Sequence, residues 1–445
     1  MTPCFVRVAL DHPLPALYDY RYPLDAPAPQ PGMLVRVPFG RRETVGLICE
    51  VSAHTDVPTN KLRDVSAVCA DLPPLSAQWL ALAGFAADYY QRGLGEVALP
   101  ALPQALRDPA RWPRLLAPEE RYRLLPVGRD ALPDALPARA QALRRLAQAL
   151  VDAGELDLAD ARALHPKAAA TLESWREAGW VEYECVAFGA AGPSSASNGD
   201  ERLADGTGST GAMEGAAPLH LLSDEQAVAV EAILEARGFA PFLLHGVTGS
   251  GKTEVYLRAL SGLLEREPDA QALVLVPEIN LTPQFEAAFR TRFAGVLPDD
   301  AIVTLHSGLA EGERAHHWLA AHTGRARIVL GTRLAVLASL PRLAMLVVDE
   351  EHDPAYQQQE GLRYSARDLA VWRAKQLGVP VVLGSATPSL ESWWQAEQGR
   401  YTRLTLSRRA IADAVLPSVK LIDLEEERRR GRASFEGLSG PLVAA

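Results

Sequence analysis

The chain has 445 residues, 48% of them hydrophobic and 22% charged, which is typical of a soluble globular protein with two to four domains. Its net charge of −10 excludes a general electrostatic affinity for nucleic acid, so any such binding must come from local basic or aromatic patches. No apolar run is long enough to span a bilayer, no signal peptide is visible, and the four cysteines form no C-x-x-C pair. We therefore expect a cytoplasmic protein with reduced thiols and no membrane partner.

Residues 1–108 are predicted to form a small β-rich domain. The segments FVRVAL, LVRVPFG and VGLICEVSA have strand patterns and are separated by turn-forming Pro and Gly. A helical stretch around Ser76 to Tyr90 closes this part of the chain. Tyr18 and Tyr20 would share one face of a strand, because residues i and i+2 point to the same side.

Residues 109–186 carry two helical patterns, RAQALRRLAQALVDAGE and KAAATLESWREAGWVEYE, with DLADARALHP between them. The second pattern passes Gly179 into a short β-like run. This order is compatible with an α-rich winged helix that docks on DNA, and equally with helices that simply pack together. Residues 187–217 are rich in Gly, Ala and Ser and are predicted to be a flexible linker.

Residues 218–412 alternate short apolar runs with helical stretches. The predicted strands are FLLHG, ALVLVPE, AIVTLHS, RIVLGT, MLVVDE and PVVLGS. Near-continuous apolar strands with intervening helices indicate a parallel sheet covered on both faces. Ligands of such sheets bind at the carboxyl ends of the strands, where every polar motif of this segment falls.

The segment GVTGSGKT fits the phosphate-loop pattern G-x-x-x-x-G-K-[ST] after a strand and before a helix. Its glycines allow backbone N–H groups to turn around a phosphate, while Lys252 can reach the β/γ-phosphates and Thr253 can ligate Mg²⁺. Gln226 lies upstream and could bind an adenine edge, or it could be a surface glutamine at a helix start. The predicted ATP-binding residues are Gln226, Gly246, Val247, Thr248, Gly249, Ser250, Gly251, Lys252 and Thr253.

The segment LVVDEEHD places acidic residues directly after a strand. Opposite a phosphate loop, Asp349 would hold Mg²⁺ together with Thr253, and Glu350 would polarise the attacking water as a general base. His352 could pass the state of the nucleotide to neighbouring motifs. Taken alone, such a segment could also be a solvated acidic turn. With Lys252, these three residues form the predicted catalytic set.

Further strands end in GSATPSLES and GTR. Ser385 and Thr387 could hydrogen-bond the acidic motif and couple hydrolysis to a second site. Arg333 is of the type that contacts a nucleic-acid backbone. Thr282, in LVPEINLTPQ, fits a phosphate contact and equally a helix N-cap followed by Pro283 at the first helical position.

The strings GVTGSGKTEVY, LVPEINLTPQ, LHSGL, GTRLAVLASLPRL, VVDEEHD and GSATPSLES resemble superfamily-2 helicases of the DExH type. More specifically, they are similar to the first RecA-like lobe of the primosomal replication-restart helicases, the primosomal protein N′ family. The resemblance implies ATP-dependent 3′-to-5′ unwinding of DNA with ATP and Mg²⁺. It also implies forked and single-stranded DNA, primosome proteins and single-strand-binding proteins as partners.

The resemblance extends to DPAYQQQEGLRYSARDLAVWRA, where the family has an aromatic-rich loop that couples DNA binding to ATPase activity. Aromatic rings that stack on bases and arginines that bind phosphate suit a single-strand contact, although core packing of the tyrosines is the alternative. The residues implied there are Tyr356, Arg363, Tyr364 and Arg367.

The N-terminal segments PLPALYDYRYP and VRVPFGRR are similar to the family's 3′-DNA-binding domain. By motif position, the resemblance implies that Tyr18, Asp19, Tyr20 and Gly40 form a pocket for a DNA 3′ end, with Arg63 as a basic partner. An aspartate could accept a hydrogen bond from a free 3′-hydroxyl while aromatic rings stack on the terminal base.

The family continues with a second lobe that bears an arginine finger and is interrupted by a cysteine-rich zinc module. This sequence has no Q-x-x-G-R-x-G-R string and no zinc ligands of that kind, and residues 413–445 resemble only the start of the second lobe. We therefore expect a monomer that binds ATP and forked DNA, hydrolyses ATP slowly and does not unwind. The alternative is a DNA-structure-binding and partner-loading module in which nucleotide is a switch or idle.

Overall fold

In the computed structural model of the protein, residues 4–186 and 221–409 are described, apart from residues 15, 137, 138 and 279. Positions 422, 423, 425 and 429 are described as well. The predicted linker at 187–217 lies outside the described residues, and so does the segment 413–445 except for those four positions.

The N-terminal domain is built on a six-stranded sheet with the spatial order β5-β2-β1-β4-β3-β6. Its strands are β1 (Phe5–Leu10), β2 (Tyr18–Arg21), β3 (Leu34–Phe39), β4 (Arg42–Ser52), β5 (Arg63–Asp64) and β6 (Ala67–Val68). Val6 and Val8 on β1, and Val35 and Val37 on β3, are fully buried, as alternating strands predict. The predicted β-rich domain is confirmed.

Helices α1 (Ala77–Tyr89), α2 (Leu94–Ala98) and α3 (Trp112–Leu115) follow the sheet. These helices do not pack on the N-terminal sheet alone. Trp79, Leu82 and Leu106 belong to one hydrophobic core together with residues of the C-terminal lobe such as Leu337 and Leu369. The helical end of the N-terminal domain therefore completes the core of another domain.

The second body is a three-stranded antiparallel sheet in the order β8-β7-β9, covered by four helices. Its elements are β7 (Glu119–Leu124), α4 (Pro126–Ala135), α5 (Gln141–Ala153), β8 (Glu155–Asp157), α6 (Leu158–Leu164), α7 (Ala168–Glu177) and β9 (Val181–Val186). Leu146, Leu150, Leu172 and Trp175 form its own core. A helix pair followed by a strand is the predicted arrangement, and contact of this body with DNA stays a prediction.

The segment between the N-terminal sheet and the second body packs on the C-terminal lobe, and the domain boundary at residue 109 stays a prediction. Trp112 and Leu116 belong to the core that the N-terminal domain shares with the C-terminal lobe. The Arg111 guanidinium also forms an ion pair with Glu311 of that lobe, with 2.8 Å between Nη1 and Oε1. The short helical turns between residues 104 and 115 therefore lie on the lobe, and the first strand of the second body begins at Glu119.

The C-terminal lobe is a seven-stranded parallel sheet in the order β12-β13-β11-β14-β15-β10-β16, with helices between the strands. Its elements are α8 (Asp224–Glu235), β10 (Ala240–Gly246), α9 (Lys252–Arg266), β11 (Gln271–Leu275), α10 (Pro283–Phe293), β12 (Ile302–Leu305), α11 (Glu311–Thr323), β13 (Ile328–Gly331), β14 (Leu343–Asp349), α12 (Ala366–Leu377), β15 (Pro380–Ser385), α13 (Leu390–Glu397) and β16 (Thr402–Leu406). All five residues of β11 are buried, as in a sheet covered on both faces. The α/β RecA-like prediction is confirmed, and β16 is an additional strand.

Two polar contacts fasten the N-terminal domain to the lobe inside this shared core. The Trp79 indole N–H donates to the Leu337 carbonyl at 2.7 Å. The His322 Nε2 lies 2.8 Å from the Pro73 carbonyl, and its Nδ1 lies 2.9 Å from the Ser339 hydroxyl. Phe85 of α1 stacks on Trp372 of α12, with 4.1 Å between the ring centroids. The two domains are thus fixed by buried hydrogen bonds as well as by apolar packing.

Replacing Trp79 by Phe should destabilise the protein by about 1–3 kcal/mol, because the buried Leu337 carbonyl loses its donor. Urea unfolding followed by circular dichroism measures this difference. Trp394→Phe is the matched control, since Trp394 is 60% exposed. Equal unfolding midpoints for the two variants would show that the buried hydrogen bond does not stabilise the domain contact.

Burial lowers the pKa of His322 to about 4, against about 6.5 in an unfolded chain. Between these pH values the unfolded chain therefore binds more protons than the folded chain. The contribution of the buried, neutral His322 to the free energy of unfolding is complete above pH 6.5 and is lost as the pH falls toward 4. The loss should be on the order of 3 kcal/mol. Unfolding free energies across this pH range should be flatter in His322→Gln, and an unchanged slope would contradict this assignment.

Candidate nucleotide site and DNA-binding surfaces

The phosphate loop, residues 246–253, joins the end of β10 to the start of α9. Gly249 and Gly251 have φ values of +80° and +81°, a backbone conformation that residues with a Cβ rarely adopt. A Cβ on Gly246 would lie 2.4 Å from the Ser250 hydroxyl oxygen. Ser250 is buried, and its hydroxyl has no hydrogen-bond partner in the described part of the chain. The loop thus has the backbone shape and an unused donor that a phosphate group would engage.

Lys252 connects the loop to the acidic motif. Its ammonium group lies 3.3 Å from the Gly246 carbonyl and 3.3 Å from Oε1 of Glu350. The side chain is almost completely buried. The structure therefore brings together the two residues predicted to bind the terminal phosphates and to polarise water.

Gln226 holds the phosphate loop through its side-chain amide group. Its amide group donates to the Ser250 carbonyl at 3.0 Å and accepts from the Ser223 backbone N–H at 2.9 Å. The residue is buried, which rules out the alternative of a surface glutamine. A contact between Gln226 and an adenine base stays a prediction.

Asp349 ends β14 and is almost fully buried beside the loop. Burial raises the pKa of its carboxyl group, and the hydrogen bond that it accepts from the Tyr256 hydroxyl at 2.9 Å opposes that rise. The contact requires glycine at position 384, because a Cβ there would lie 1.7 Å from the Tyr256 hydroxyl oxygen. Tyr256 and Gly384 are therefore parts of the site that the sequence patterns did not reveal.

His352 lies where the predicted coupling residues meet. Its Nδ1 is 2.8 Å from the Ser385 hydroxyl, and its Nε2 is 3.2 Å from the Thr387 hydroxyl. The same Nδ1 is 3.6 Å from Oε2 of Glu350. Glu350 itself has a φ of +46°, an uncommon backbone conformation for a residue other than glycine. Glu350, His352, Ser385 and Thr387 therefore form one connected polar group.

Glu351, which was not among the predicted site residues, is the most buried carboxylate of the acidic motif. Its side chain is fully inaccessible and accepts hydrogen bonds from the Ser389 backbone N–H at 2.7 Å and the Ser392 hydroxyl at 2.9 Å. The guanidinium of Arg367 lies 3.2 Å away. The sequence pattern that could have indicated Glu351 is a third consecutive acidic residue directly after a buried strand. Glu351 ties the acidic motif to α12 and α13.

The structure corrects the proposed base stacking of Tyr356 and Tyr364. Both rings are 2% exposed and lie in the shared core. The Tyr356 hydroxyl donates to the Asp349 carbonyl at 2.6 Å, and the Tyr364 hydroxyl donates to the Arg333 carbonyl at 3.3 Å. Core packing, the alternative interpretation of these tyrosines, explains their position because no ring face remains open.

The three candidate arginines differ in whether their guanidinium groups already have partners within the protein. The Arg333 guanidinium donates to the Ala355 and Gln357 carbonyls at 2.9 and 3.3 Å, and Arg367 is held by Glu351 and Asp368. Arg363 is exposed, and no partner is recorded for its side chain within the described residues. Arg333 and Arg367 thus hold the loop that follows the acidic motif, while phosphate binding by these arginines stays a prediction.

The N-terminal candidates lie on and beside β2. Tyr18 is half-buried with its ring edge-on to Phe39, and the Asp19 carboxylate accepts a hydrogen bond from the Thr55 hydroxyl. Arg63 donates to the Gly40 carbonyl at 3.0 Å, so these two residues adjoin. The proposed stacking of Tyr20 on a base is corrected, because its ring is 4% exposed and its hydroxyl donates to the Pro38 carbonyl.

The chain matches two protein families along most of this architecture. Residues 7–103 match the 3′-DNA-binding domain of PriA, and residues 223–393 match the DEAD/DEAH box helicase family. Within the described residues, no helix is long and apolar enough to cross a membrane, and no three His, Cys, Asp or Glu side chains are grouped to hold a metal ion.

The chain is also similar to named replication restart proteins. It is 36% identical to the replication restart protein PriA of Haemophilus influenzae over 98% of this chain and 56% of that protein. PriA of Bacillus subtilis is 44% identical over 48% of this chain and 26% of its own length. A solved structure of the DUF1998 helicase MrfA bound to DNA covers 42% of this chain and 27% of that one at 15% identity, with a TM-score of only 0.33. The chain thus spans about half the length of the Haemophilus relative.

Replacing Tyr256 by Phe should move the acidic limb of any Mg²⁺-dependent ATPase activity to higher pH. The Tyr256 hydroxyl stabilises the charged form of Asp349, so its removal leaves burial unopposed and raises the pKa of Asp349 further. The pH dependence of kcat/KM for ATP measures the shift. Tyr401→Phe is the control, since Tyr401 has no recorded contact with Asp349, and an identical acidic limb in all three proteins would refute the role of Tyr256.

Proposed function

We propose that the chain is the ATP-binding and fork-recognising part of a DNA helicase that acts in replication restart. The matches to the 3′-DNA-binding domain of PriA and to the DEAD/DEAH box helicase family support this proposal, as does the similarity to PriA replication restart proteins. The helicase is proposed to be ATP-dependent and to move in the 3′-to-5′ direction. Its substrates are forked and single-stranded DNA, and its partners are primosome and single-strand-binding proteins.

One observation carries the proposal. The ammonium group of Lys252 lies within 3.3 Å of both the Gly246 carbonyl of the phosphate loop and the Glu350 carboxylate of the acidic motif. A phosphate-binding cation and a carboxylate that can take a proton from water therefore meet at one edge of the sheet. This pairing supports phosphoryl transfer to water, and the general-base role falls to Glu350.

The surrounding residues fit a nucleotide with Mg²⁺. Bound Mg²⁺ would supply positive charge that offsets the charge of the transferred phosphoryl group. Asp349 and Thr253 are the residues that would hold it, and one carboxylate oxygen of Asp349 also accepts a hydrogen bond from the Tyr256 hydroxyl. Lys252 orients the terminal phosphates, and the loop backbone N–H groups bind their oxygens. His352 links Glu350 to Ser385 and Thr387, so a shift of Glu350 would change the hydrogen bonds at the end of β15.

The N-terminal domain is proposed to bind the 3′ end of a DNA strand. Asp19 lies on β2, and the Gly40 turn and Arg63 lie beside this strand, where a carboxylate can accept from a 3′-hydroxyl and a guanidinium can bind a phosphate. Because α1 is packed into the lobe, a DNA end held on this domain keeps a fixed relation to the nucleotide site.

Lys252→Ala should abolish DNA-stimulated ATP hydrolysis, with a loss of about 10²–10³-fold or more, because a buried positive charge at the transferred phosphate is removed. Phosphate release with and without forked DNA measures it. Lys375→Ala is the matched control, since Lys375 is exposed on α12.

Nucleotide binding, followed with a fluorescent ATP analogue, separates the two candidate functions. Turnover in the wild type that is lost in Lys252→Ala supports the helicase motor. Nucleotide and fork binding with equal background turnover in both proteins would reject it in favour of the partner-loading module.

A further inference from the structure

The first turn of α9 carries Lys252 and Thr253, the two residues of the phosphate loop that lie within the helix. The first four backbone N–H groups of a helix have no partner inside it, and glycines give the preceding loop conformational freedom. The position of this turn therefore depends on contacts with other elements. Two of these contacts are the hydrogen bond from Gln226 to the Ser250 carbonyl and the hydrogen bond from Tyr256 to Asp349.

A third contact is an ion pair between α9 and α10. Glu254 directly follows Thr253, and its two carboxylate oxygens lie 2.8 and 2.6 Å from Nη2 of Arg292. Nε of Arg258, one turn further along α9, donates to Oε1 of Glu254 at 2.9 Å. The side chains of Glu254 and Arg292 are only 16% and 14% exposed. The acidic residue in the first turn of α9 is thus held by two guanidinium groups, one of which comes from another helix.

Helix α10 is a fixed support for this ion pair. Thr282 caps its N-terminus with its side chain, and Phe289 and Phe293 are buried in the same core as Val255 of α9. Because α10 is anchored in the core beneath it, the ion pair fixes the start of α9 relative to the sheet.

The ion pair and the Tyr256 hydrogen bond hold α9 from opposite sides. Residues 254 and 256 are two positions apart, which is about 200° around a helix. Tyr256 faces Asp349, and Lys252, four residues earlier on the same side, faces Glu350. Glu254 therefore points away from the acidic motif and toward α10. Its carboxylate affects the nucleotide site through the orientation of the helix and not by contact with phosphate.

The same ion pair is a weak source of stability. Nη1 of Arg292 is buried and has no hydrogen-bond partner among the described residues. A buried donor left unpaired costs free energy, and the Coulombic gain of a buried ion pair is largely offset by desolvation. Orientation of the first turn of α9 is the effect of this contact that stability does not explain.

We infer that Arg292, acting through Glu254, is a positioning residue for the Thr253 hydroxyl and therefore for the Mg²⁺ that accompanies the nucleotide. This role rests on the proposed function, since it requires that Thr253 ligates the Mg²⁺ of a bound nucleotide. It gives α10 a part in the nucleotide site, although α10 carries neither the phosphate loop nor the acidic motif.

The test measures the affinity of the full chain for a fluorescent ATP analogue with and without Mg²⁺. Arg292→Gln should reduce the gain in affinity that Mg²⁺ produces about tenfold, as for loss of a group that orients a metal ligand. The affinity without Mg²⁺ should stay unchanged, and Arg292→Lys, which keeps the charge, should retain most of the gain.

Arg327→Gln is the matched control. Arg327 also lies 2.6 Å from a carboxylate, that of Asp269, and this carboxylate is likewise shared with a second arginine, Arg342. Arg327 directly precedes β13, so this ion pair lies at the opposite edge of the sheet from the phosphate loop. Its loss should leave the effect of Mg²⁺ unchanged.

A double variant shows whether Arg292 acts through Glu254. Glu254→Gln alone should reduce the Mg²⁺ effect to a similar extent, and the combination with Arg292→Gln should lose no more than either single variant. Additive losses would overturn the assignment, because the two residues would then act separately.

The remaining outcomes separate this role from the function on which it rests. An equal Mg²⁺ effect in the wild type and Arg292→Gln overturns the positioning role and leaves the proposed function standing, and so do equal losses in Arg292→Gln and Arg327→Gln. Absence of nucleotide binding in the wild type overturns both. Equal thermal unfolding midpoints without nucleotide show that the variants are folded, and Glu254→Gln answers the same question if Arg292→Gln does not fold.

Discussion

The packing of helix α1 into the core of the lobe is the constraint from which the remaining arrangement follows. Leu82 and Trp79 of α1 are buried among residues of β14, α12 and the segment after β13, so neither domain has a complete core alone. Hydrophobic burial of this extent resembles the interior of one domain more than the surface contact of two independent ones. Trp79 and His322 add buried hydrogen bonds that a displaced domain would leave unpaired. The sheet of the N-terminal domain and the sheet of the lobe are thereby held in one orientation.

The candidate nucleotide site depends on a different constraint, which is the meeting of parallel strands at one edge of the sheet. Strands β10 and β14 end at Gly246 and Asp349, with β15 between them ending at Ser385. Because β15 is so close, its penultimate residue must be glycine to admit the Tyr256 hydroxyl beside Asp349. The two glutamates of the acidic motif have different partners. Glu350 contacts Lys252, whereas the buried Glu351 contacts Ser389, Ser392 and Arg367.

The sequence predicts what depends on local pattern and short spacing. The phosphate loop, the strands of the lobe and the β-rich start of the chain have periodicities or motifs that only one local structure satisfies. The sequence could not show which side of a fold a residue faces once a distant element covers it. Tyr356 and Tyr364 follow an acidic motif in a polar segment. Their burial depends on the core that they share with α1, and the hydrogen bond from the Ser365 backbone N–H to the Tyr90 hydroxyl spans 275 residues of sequence.

The buried tyrosines join the acidic motif to the GTR segment. The Tyr356 hydroxyl donates to the Asp349 carbonyl, and the adjoining Ala355 carbonyl accepts from the Arg333 guanidinium. The Tyr364 hydroxyl donates to the Arg333 carbonyl, so the backbone and the side chain of this arginine are both held. Because both tyrosine rings are buried, these hydrogen bonds fix the segment after the acidic motif against the end of β13.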